Sequence, residues 1–467
     1  NINYLKGVEG MEKVKENRIV DMNMFKLYSK YLVPTMISMV MYSAYIFGDM
    51  LFVAKGVGKT GLAALNISLP IFTMFSTFAL MLGVGGAVTT TILKNEGKLE
   101  ESKKTFTLIM VTNLVISLSL MAFMFLNTEK LAIILGSDEA ILPYSVQYIF
   151  PIIFSVPFYF VNGSMTILVR ADGNPILAMT AGLIGNFTNI ILDWLLVMYF
   201  DMGIFGAGLA TSISTILNCC IILLHFTNLE NTLKFTKNFF DIKLLFRIMR
   251  NGFGAAILEV STGLTIFLTN RTLMDIGNAD SVAIYTVLSN TSYIAKNLFS
   301  GVAQSAQPLI SSYSAKKEYD NLNMITRIGL LTALTIGLIT TIVMSVFGKE
   351  VITFFVSAEP NIIREGVPAV RIFYSLFGIL GMNTLIMYFF QSMEKALLSL
   401  SVSFLRGILF IIIGLMILPN FFGVTGVWLT TPVAEGICFL MYYPMVKKII
   451  HTLKNGNKNI NLNLQQQ

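Results

Sequence analysis

Twelve long apolar stretches alternate with short polar segments along this chain. Each stretch has roughly 20 or more mostly apolar residues, which is enough for a helix to cross the ~30 Å hydrocarbon core of a bilayer. Because backbone polar groups in hydrocarbon must be satisfied internally, the pattern predicts twelve membrane-spanning helices. The predicted spans lie near residues 31–54, 62–92, 105–127, 144–169, 176–199, 203–226, 252–275, 281–311, 328–348, 366–391, 397–418 and 424–446.

Composition and charge support this class. Of the 467 residues, 55% are hydrophobic and only 13% are charged, which is typical of a membrane protein with many spans. The net charge of +7 comes from one side of the predicted bilayer: the two tails and the even-numbered loops carry 24 Lys and Arg, against 6 in the odd-numbered loops. By the positive-inside rule both termini are cytoplasmic, and the basic charge reports topology and not nucleic-acid binding.

The chain repeats itself at a spacing of about 220 residues. GVGGAVT from Gly83 matches GVAQSAQ from Gly301, and GIFGAGLATSIS from Gly203 matches GVTGVWLTTPVA from Gly423. Each copy holds six spans, so the copies are parallel repeats, as in many transporters. We therefore predict an all-α integral membrane protein of twelve transmembrane helices in two parallel six-helix repeats. Its parts are a cytoplasmic tail at 1–30, an N-lobe at 31–227, a cytoplasmic linker at 228–250, a C-lobe at 251–450 and a disordered tail at 451–467.

Two aspartates lie inside predicted spans of the N-lobe, and the second copy has no acid at either matching position. Counted from the outer ends of spans 1 and 5, Asp49 is roughly 7 Å deep and Asp193 roughly 9 Å deep. A carboxylate in hydrocarbon costs a few kcal/mol on insertion scales. The pair is therefore a candidate functional site that only the first half carries.

Three further oxygen-bearing side chains join the two acids in one layer. Tyr45 and Asn189 each precede an aspartate by four residues and so share its helical face. Thr211 lies roughly 12 Å deep in span 6. Asn189 or Thr211 alone is more typical of hydrogen bonding between helices. Oxygen ligands suit hard cations and paired carboxylates suit proton sharing, so the layer predicts a site for H⁺ or Na⁺.

The residues around this layer resemble the multidrug and toxic-compound extrusion (MATE) family. The elements that carry the resemblance are GDMLFVA from Gly48, GLAALNIS from Gly61, NIILDWLLV from Asn189 and GIFGAGLAT from Gly203. RADGNP from Arg170 is similar to the bacterial branch that includes DinF-like and MepA-like exporters. The resemblance covers nearly the whole chain, about residues 25–450.

The resemblance implies export of organic, cationic drugs or toxins by alternating access, driven by inward H⁺ or Na⁺. Its coupling-ion site, carried over residue by residue, consists of Tyr45, Asp49, Asn189, Asp193 and Thr211. Its substrate cavity is expected to include Tyr148, Asn162, Glu259 and Asn383. Sodium-coupled members with a C-lobe site carry an aspartate in span 10, and this chain has only Asn383 there. Na⁺ at Asp49 and Asp193 is therefore the only metal-ion site expected.

The C-terminal half has buried charges of its own in spans 7, 8, 11 and 12: Glu259, Lys296, Arg406 and Glu435. Two acids and two bases either neutralise one another in a structural network or take part in gating or drug binding. The sequence leaves both interpretations open.

Two other classes are alternatives to a drug exporter. A flippase or exporter of a lipid-linked saccharide from the same superfamily would line its cavity with several arginines. The only charged residues in the predicted spans of the N-half are Asp49 and Asp193, which disfavours this alternative. An enzyme would need a set of catalytic side chains, and the sequence shows none. The 2 histidines and 3 scattered cysteines also do not form a site for a soft metal ion. We therefore expect a monomeric, non-enzymatic transporter of the bacterial plasma membrane, with no cofactor besides the coupling ion. Small-molecule drugs and the lipid bilayer are its expected partners, and nucleic acid is not.

Overall fold

The computed structural model describes residues 2–355 and 360–465, with side chains at 23–278, 280–355 and 362–455. Helices form these ranges almost throughout, and no strand occurs within them. The first half consists of α1 (Ile2–Gly56), α2 (Lys59–Asn95), α3 (Leu99–Leu126), α4 (Thr128–Ile134), α5 (Leu142–Ala171), α6 (Pro175–Asp193) and α7 (Gly203–Leu223). The second half consists of α8 (Ile242–Ile276), α9 (Ala279–Ala315), α10 (Tyr319–Val346), α11 (Gly348–Phe355), α12 (Pro360–Phe373), α13 (Phe377–Ser392), α14 (Ala396–Phe404), α15 (Phe410–Phe422) and α16 (Val424–Gln465).

These helices form twelve spans in two parallel six-helix repeats. Among the described residues, ten helical segments are long and apolar enough to cross a membrane, and α12 and α13 form an eleventh span bent by 40° at its break. The remaining span is α9, which has 37 residues but carries Lys296 and many Ser, Asn and Gln side chains that lower its hydropathy. Two spans contain π-helical turns, at Trp194–Tyr199 after α6 and at Leu405–Leu409 between α14 and α15.

The two lobes meet near the face of the molecule that carries the segment joining them, residues 228–241, called here the linker face. Hydrogen bonds cross between the lobes from Tyr28 to the Val302 carbonyl (3.1 Å) and from Ser312 to Asn95 (3.2 Å). Near the opposite face the contact between lobes is an aromatic one, with 6.4 Å between the ring centroids of Phe47 and Phe355. Polar contacts between the lobes are thus concentrated toward the linker face.

Glycines allow the closest contact between the lobes, where α2 crosses α8. A Cβ atom at Gly85 would lie 2.0 Å from the Ile248 carbonyl oxygen, and one at Gly252 would lie 1.8 Å from the Met81 carbonyl oxygen. Both distances are far inside van der Waals contact with backbone. Gly85, in the GVGG run of α2, and Gly252 of α8 therefore let the two helix backbones touch, as small residues do elsewhere in membrane bundles.

A buried polar cluster fastens the linker to the N-lobe. Asp172, which follows α5, accepts hydrogen bonds from the Thr232 amide and hydroxyl, and pairs with Lys94 (3.1 Å) and His225 (2.9 Å). Burial alone would raise the pKa of the Asp172 carboxyl, but the hydrogen bonds from His225 and Thr232 and the charge of Lys94 hold it below its usual value. The start of the linker is thereby held against the N-lobe.

The C-terminal segment differs from the expectation of a disordered tail at 451–467. The structure continues α16 as a helix to Gln465. Near the end of the span Lys454 pairs with Asp320 of α10, and the Asn455 amide lies 3.3 Å from the His451 ring, four residues earlier. Contacts of this kind favour propagation of the helix beyond the apolar residues. Residues 466 and 467 lie outside the described residues.

Candidate cation and substrate sites

Five polar side chains meet inside the N-lobe. α1 supplies Asp49, α6 supplies Asn189 and Asp193, α7 supplies Thr211 and α5 supplies Tyr148. All five are more than nine-tenths buried. The two carboxylates interact electrostatically with each other and with Tyr148, which also lies within hydrogen-bonding reach of Thr211. We call these five residues the N-lobe cluster; the sequence assigned Tyr148 to the substrate cavity, and the structure places it here.

Close helix packing builds the N-lobe cluster. A Cβ atom at Gly208 of α7 would lie 2.4 Å from the Tyr148 carbonyl oxygen, and the Ser212 hydroxyl donates to the Pro151 carbonyl at 2.8 Å. These contacts hold α7 against α5. Asn189 and Asp193 are one helical turn apart, so both face the same neighbours from α6.

Four oxygen atoms of the N-lobe cluster are buried without a hydrogen-bond partner among the described residues. They are Oδ1 of Asp49, Oδ1 of Asn189 and both carboxylate oxygens of Asp193. The Asn189 amide donates to the Thr211 hydroxyl at 3.4 Å, and that hydroxyl donates to the Ala207 carbonyl at 3.1 Å, so neither donor serves the carboxylates. Buried oxygens without donors are unfavourable, and a group of acceptors of this kind fits a proton or a hard cation such as Na⁺.

The backbone changes character directly after Asp193. The regular α ladder of α6 ends at this residue and six residues, Trp194–Tyr199, follow in π-helical geometry. Such turns are rare and recur at functional sites. The acid of span 5 thus lies where the helix departs from regular geometry.

Tyr45 lies between the N-lobe cluster and a larger cavity. It interacts electrostatically with Asp49, one turn further along α1, and its ring centroid is 5.6 Å from that of Tyr42. Both tyrosines line the cavity, whereas Asp49 and the other members of the N-lobe cluster do not. One helix therefore carries an acid of the first site and part of the wall of the second.

The larger cavity lies between the lobes and has a volume of about 290 Å³. Its walls come from α1, α2, α5, α6 and α7 of the N-lobe and from α8, α9 and α13 of the C-lobe. Two of the residues assigned to the substrate cavity from the sequence, Asn162 and Glu259, line it. We call it the central cavity.

One carboxylate and a set of tyrosines form the most distinctive part of the central cavity. Glu259 of α8 has no hydrogen bond or ion pair among the described residues. It interacts electrostatically with four tyrosines that line the same space, namely Tyr42, Tyr159, Tyr293 and Tyr388. An aromatic enclosure with one negative charge suits an organic cation, because ring faces and the carboxylate both attract positive charge.

Comparison with known proteins identifies the family. The MatE family model matches residues 34–195 and 253–416, one segment in each lobe. The chain belongs to the MatE family. Similar proteins include "Multidrug export protein MepA" of Staphylococcus saprophyticus, 22% identical over 420 residues that cover 90% of this chain and 92% of that protein. MepA of Staphylococcus haemolyticus is 23% identical, and the matched region covers 93% of this chain and 94% of that protein.

A solved structure described as an outward-facing conformation of a multidrug resistance MATE family transporter has the same fold. Its TM-score is 0.86 at 19% identity, and the match covers 92% of this chain and 96% of that one. These findings confirm the resemblance seen in the sequence, the twelve-span fold with two lobes, and a multi-pass membrane transporter as opposed to an enzyme.

In this MatE protein two of the buried charges of the C-lobe, Arg406 and Glu435, form an ion pair. Arg406 lies 3.1 Å from Glu435 and donates to Thr384 at 3.1 Å, while Asn383 donates to Glu435 at 2.7 Å. Lys296 is attracted by Glu435 and repelled by Arg406. Of the two interpretations left open by the sequence, the structure favours a structural network for Arg406 and Glu435, with Lys296 beside this pair and Glu259 outside the network. Asn383 belongs to this network and does not line the central cavity.

Several residues that line the central cavity were not singled out from the sequence. Arg170 was counted there as part of a cytoplasmic loop, but the structure buries it in the last turn of α5. Tyr42, Tyr159 and Tyr293 belong to a set of 17 tyrosines, and no local pattern separates those that face the cavity. The nearest signal was the unusually polar character of α9, which supplies Tyr293, Asn297, Ser300 and Gln304 to the cavity wall.

Proposed function

We propose that this protein exports organic cations across a bacterial plasma membrane by alternating access, in exchange for H⁺ or Na⁺ bound by Asp49 and Asp193. The observation that carries the proposal is the set of four buried, unpartnered oxygens in the N-lobe cluster. Two carboxylates that interact at close quarters in a low-dielectric setting do not both stay ionised without a neutralising cation. The relatives named as multidrug export proteins support the same function.

The residues that would hold the coupling ion are those of the N-lobe cluster. Asp49, Asp193 and Asn189 offer oxygens without other partners, and Thr211 adds a hydroxyl with a second lone pair beyond the one that accepts from Asn189. A bound Na⁺ would supply positive charge that the site otherwise lacks, and a proton would neutralise one of the two carboxylates. The chemistry of the donor set therefore fits either ion.

The central cavity is the proposed drug site. Glu259 and its surrounding tyrosines would bind the cationic part of the substrate. Closure of the lobes at the linker face would leave this cavity accessible from the opposite face, which corresponds to an outward-facing state. A monomer is the proposed functional unit.

Coupling between the sites would pass through α1. This helix carries Asp49 in one site and Tyr42 and Tyr45 in the other, so neutralisation of the acid can alter the cavity wall directly. If the ion and the drug favour different arrangements of α1, each lowers the affinity for the other by the same factor. This reciprocal effect on affinity is what couples drug export to ion entry in an antiporter.

The test is transport by purified protein in liposomes, with Na⁺ and H⁺ gradients imposed separately. In the wild type, one of the two gradients should drive uptake or release of a fluorescent organic cation. Asp49→Asn and Asp193→Asn should each reduce gradient-driven transport by at least about tenfold, because each removes an ion-binding charge whose contribution exceeds 1.4 kcal/mol. Thr211→Ala and Asn189→Ala should weaken coupling less, because each removes only a neutral ligand.

Asp201→Asn is the matched control. Asp201 is exposed just after span 5, and its φ of 52° is one that asparagine also adopts readily. This variant should transport at the wild-type rate. Near-normal gradient-driven transport in both Asp49→Asn and Asp193→Asn would contradict the proposal.

A further inference from the structure

Arg170 stands at the end of the central cavity nearest the linker face. It occupies the last turn of α5, is only 3% exposed, and lines the cavity with Gln304 of α9 opposite. A guanidinium keeps its charge in proteins even when it is buried. The cavity therefore has a fixed positive charge at this end.

The hydrogen bonds of Arg170 leave most of its donors unused. One terminal nitrogen, Nη1, donates to Gln304 at 2.6 Å, while Nε is buried without a partner among the described residues. A guanidinium has five N–H donors, and buried ones normally meet acceptors. Arg170 is thus a buried, partly unpartnered donor group in the cavity wall.

No carboxylate pairs with Arg170 in the part of the chain that the structure describes. Arg406, the other buried arginine of the spans, pairs with Glu435, and the half-buried Arg247 makes two hydrogen bonds with Glu394 at 2.7 and 2.8 Å. Asp172, only two residues from Arg170, is engaged with Lys94, His225 and Thr232. Since buried charges are normally paired, the missing negative charge at Arg170 points to a ligand.

Helix register shows how far apart in depth the two charges of the cavity, Arg170 and Glu259, lie. α2 and α5 are parallel, and a Cβ atom at Gly83 would lie 3.0 Å from the Ser164 backbone. Arg170 is six residues beyond Ser164, as Thr89 is beyond Gly83, and Thr89 accepts a hydrogen bond from Asn251 of α8 at 3.2 Å. Glu259 follows Asn251 by eight residues on the same helix, so it stands roughly 12 Å further from the linker face than Arg170.

We propose that Arg170 binds an acidic group of the exported compound, so that the preferred substrates are amphoteric molecules that carry a carboxylate as well as a cationic group. The cationic group would lie among Glu259 and the tyrosines, and the carboxylate would accept hydrogen bonds from the free N–H groups of Arg170. A carboxylate is the natural partner of the fork of donors that a guanidinium presents. This inference rests on the proposed export function and specifies its substrate class.

The competing interpretation is a latch. The Arg170–Gln304 hydrogen bond crosses from the N-lobe to the C-lobe, so Arg170 could simply hold the closed linker face together. A latch acts on the protein's conformation and is indifferent to the acidic group of a substrate. The two interpretations therefore differ in their dependence on substrate charge.

The experiment compares two dyes, a rhodamine with a free carboxylate and the methyl ester of the same rhodamine. Equilibrium binding and export are measured for both with wild type, Arg170→Gln, Arg170→Lys and Gln304→Leu in liposomes. We expect the wild type to bind the acid at least about tenfold more tightly than the ester, because the ester leaves the buried charge unpaired. Arg170→Gln should lower the affinity for the acid by roughly 10- to 100-fold and leave that for the ester within about twofold.

Arg170→Lys should keep a preference for the acid, because it keeps the charge. Gln304→Leu should change the affinities for the two dyes by the same factor, because it removes a hydrogen bond between the lobes but no charge. Arg250→Gln removes an exposed arginine near the same face and should leave both dyes unaffected. This control separates a local effect from a general change in surface charge.

Two results would overturn the inference. Equal losses for both dyes in Arg170→Gln would assign Arg170 to a latch. A wild type that binds the ester as tightly as the acid would overturn the inference without any variant, even if Arg170→Gln failed to fold. Either result is compatible with gradient-driven export of the ester. If the wild type exported neither dye under any gradient, the proposed function itself would be contradicted.

Discussion

At the scale of single residues, buried carboxylates in this protein have two contrasting environments. Glu435 in the C-lobe lies beside Arg406 and accepts a hydrogen bond from Asn383, so its charge is compensated within the protein. Asp193 in the N-lobe has two buried oxygens without a donor. Binding of a cation would stabilise the second kind of site, and this difference is why we propose the N-lobe as the location of the coupling ion.

A prediction at this scale concerns Asp172 and the linker. Asp172→Asn should lower thermal stability at neutral pH by the equivalent of about 1.5–3 kcal/mol, because it removes charge-assisted hydrogen bonds from a buried group. The pKa of Asp172 is lowered in the folded protein, so its stabilising effect is complete above the ordinary aspartate value of about 3.9 and is lost as pH falls through the lower folded value. Unfolding in detergent should therefore show a gap between wild type and variant that is constant near pH 7 and narrows below about pH 4.

Asp275→Asn is the control for this measurement, because Asp275 is exposed near the end of α8. It should leave the unfolding temperature unchanged at every pH. A gap for Asp172→Asn that widens on acidification would contradict the assigned role.

Some site residues could be predicted from the sequence and others could not, for physical reasons. Asp49 and Asp193 stand out because a charge inside an apolar run is costly whatever surrounds it. Arg170 could not be recognised in this way, because it lies where an apolar run ends and basic residues are expected from topology. Its importance depends on Gln304 opposite and on the engagement of Asp172 elsewhere, which only the folded arrangement shows.

At the scale of helices, the apolar pattern predicted the number and order of the spans but not their interruptions. The π-helical turns at Trp194–Tyr199 and Leu405–Leu409 and the 40° bend between α12 and α13 follow no proline at the break itself. Their geometry is set by packing against neighbouring helices, and periodicity in one segment does not record it. The apolar run is the property of a helix alone, whereas the bend is a property of the bundle.

The crossing of α2 and α8 gives a prediction at this scale. Gly252→Ala should prevent closure at the linker face, because its Cβ atom would lie 1.8 Å from the Met81 carbonyl oxygen and backbone cannot move aside as a side chain can. Overpacking of this kind costs about 1–3 kcal/mol. We expect a strong loss of transport and faster labelling of a cysteine placed at Asn95, measured with a water-soluble maleimide in a background without native cysteines.

Gly263→Ala, on the same helix, is the matched comparison, since a Cβ atom there meets nothing within 4 Å. It should transport and label as the parent protein does. Unchanged labelling at position 95 in Gly252→Ala would show that the lobes accommodate the methyl group without parting.

At the scale of the whole molecule, the two lobes share a topology but carry different chemistry. The N-lobe holds the unpartnered oxygens of Asp49 and Asp193, the C-lobe holds the ion pair of Arg406 with Glu435, and the central cavity draws walls from both. Their polar contacts lie toward the linker face, through pairs such as Asn95 with Ser312. Transport by alternating access requires these contacts to break and re-form in each cycle.

Cross-linking tests that requirement. With the three native cysteines replaced, a cysteine pair at Asn95 and Ser312 should cross-link on oxidation or with a short bifunctional reagent, because the side-chain oxygens lie 3.2 Å apart. Transport should stop while the link is intact and return after reduction of the disulfide. The measurement is dye transport in liposomes before and after reductant.

A cysteine pair at Ser137 and Ser145 joins residues within the N-lobe, whose hydroxyl oxygens lie 2.9 Å apart. Cross-linking there should leave transport intact, because the two positions move together. Full transport by the cross-linked 95–312 protein would mean that the lobes do not separate at the linker face.

The glycine contact between α2 and α8 also bears on the entropy of the cycle. An interface of interdigitated side chains loses rotamer freedom each time it forms, at about 0.5–1.5 kcal/mol for each immobilised side chain. Gly85 and Gly252 have no rotamers to lose, and the backbone atoms they touch are already ordered within their helices. The two lobes can therefore come together at this point, and part again, without freezing or releasing any side chain.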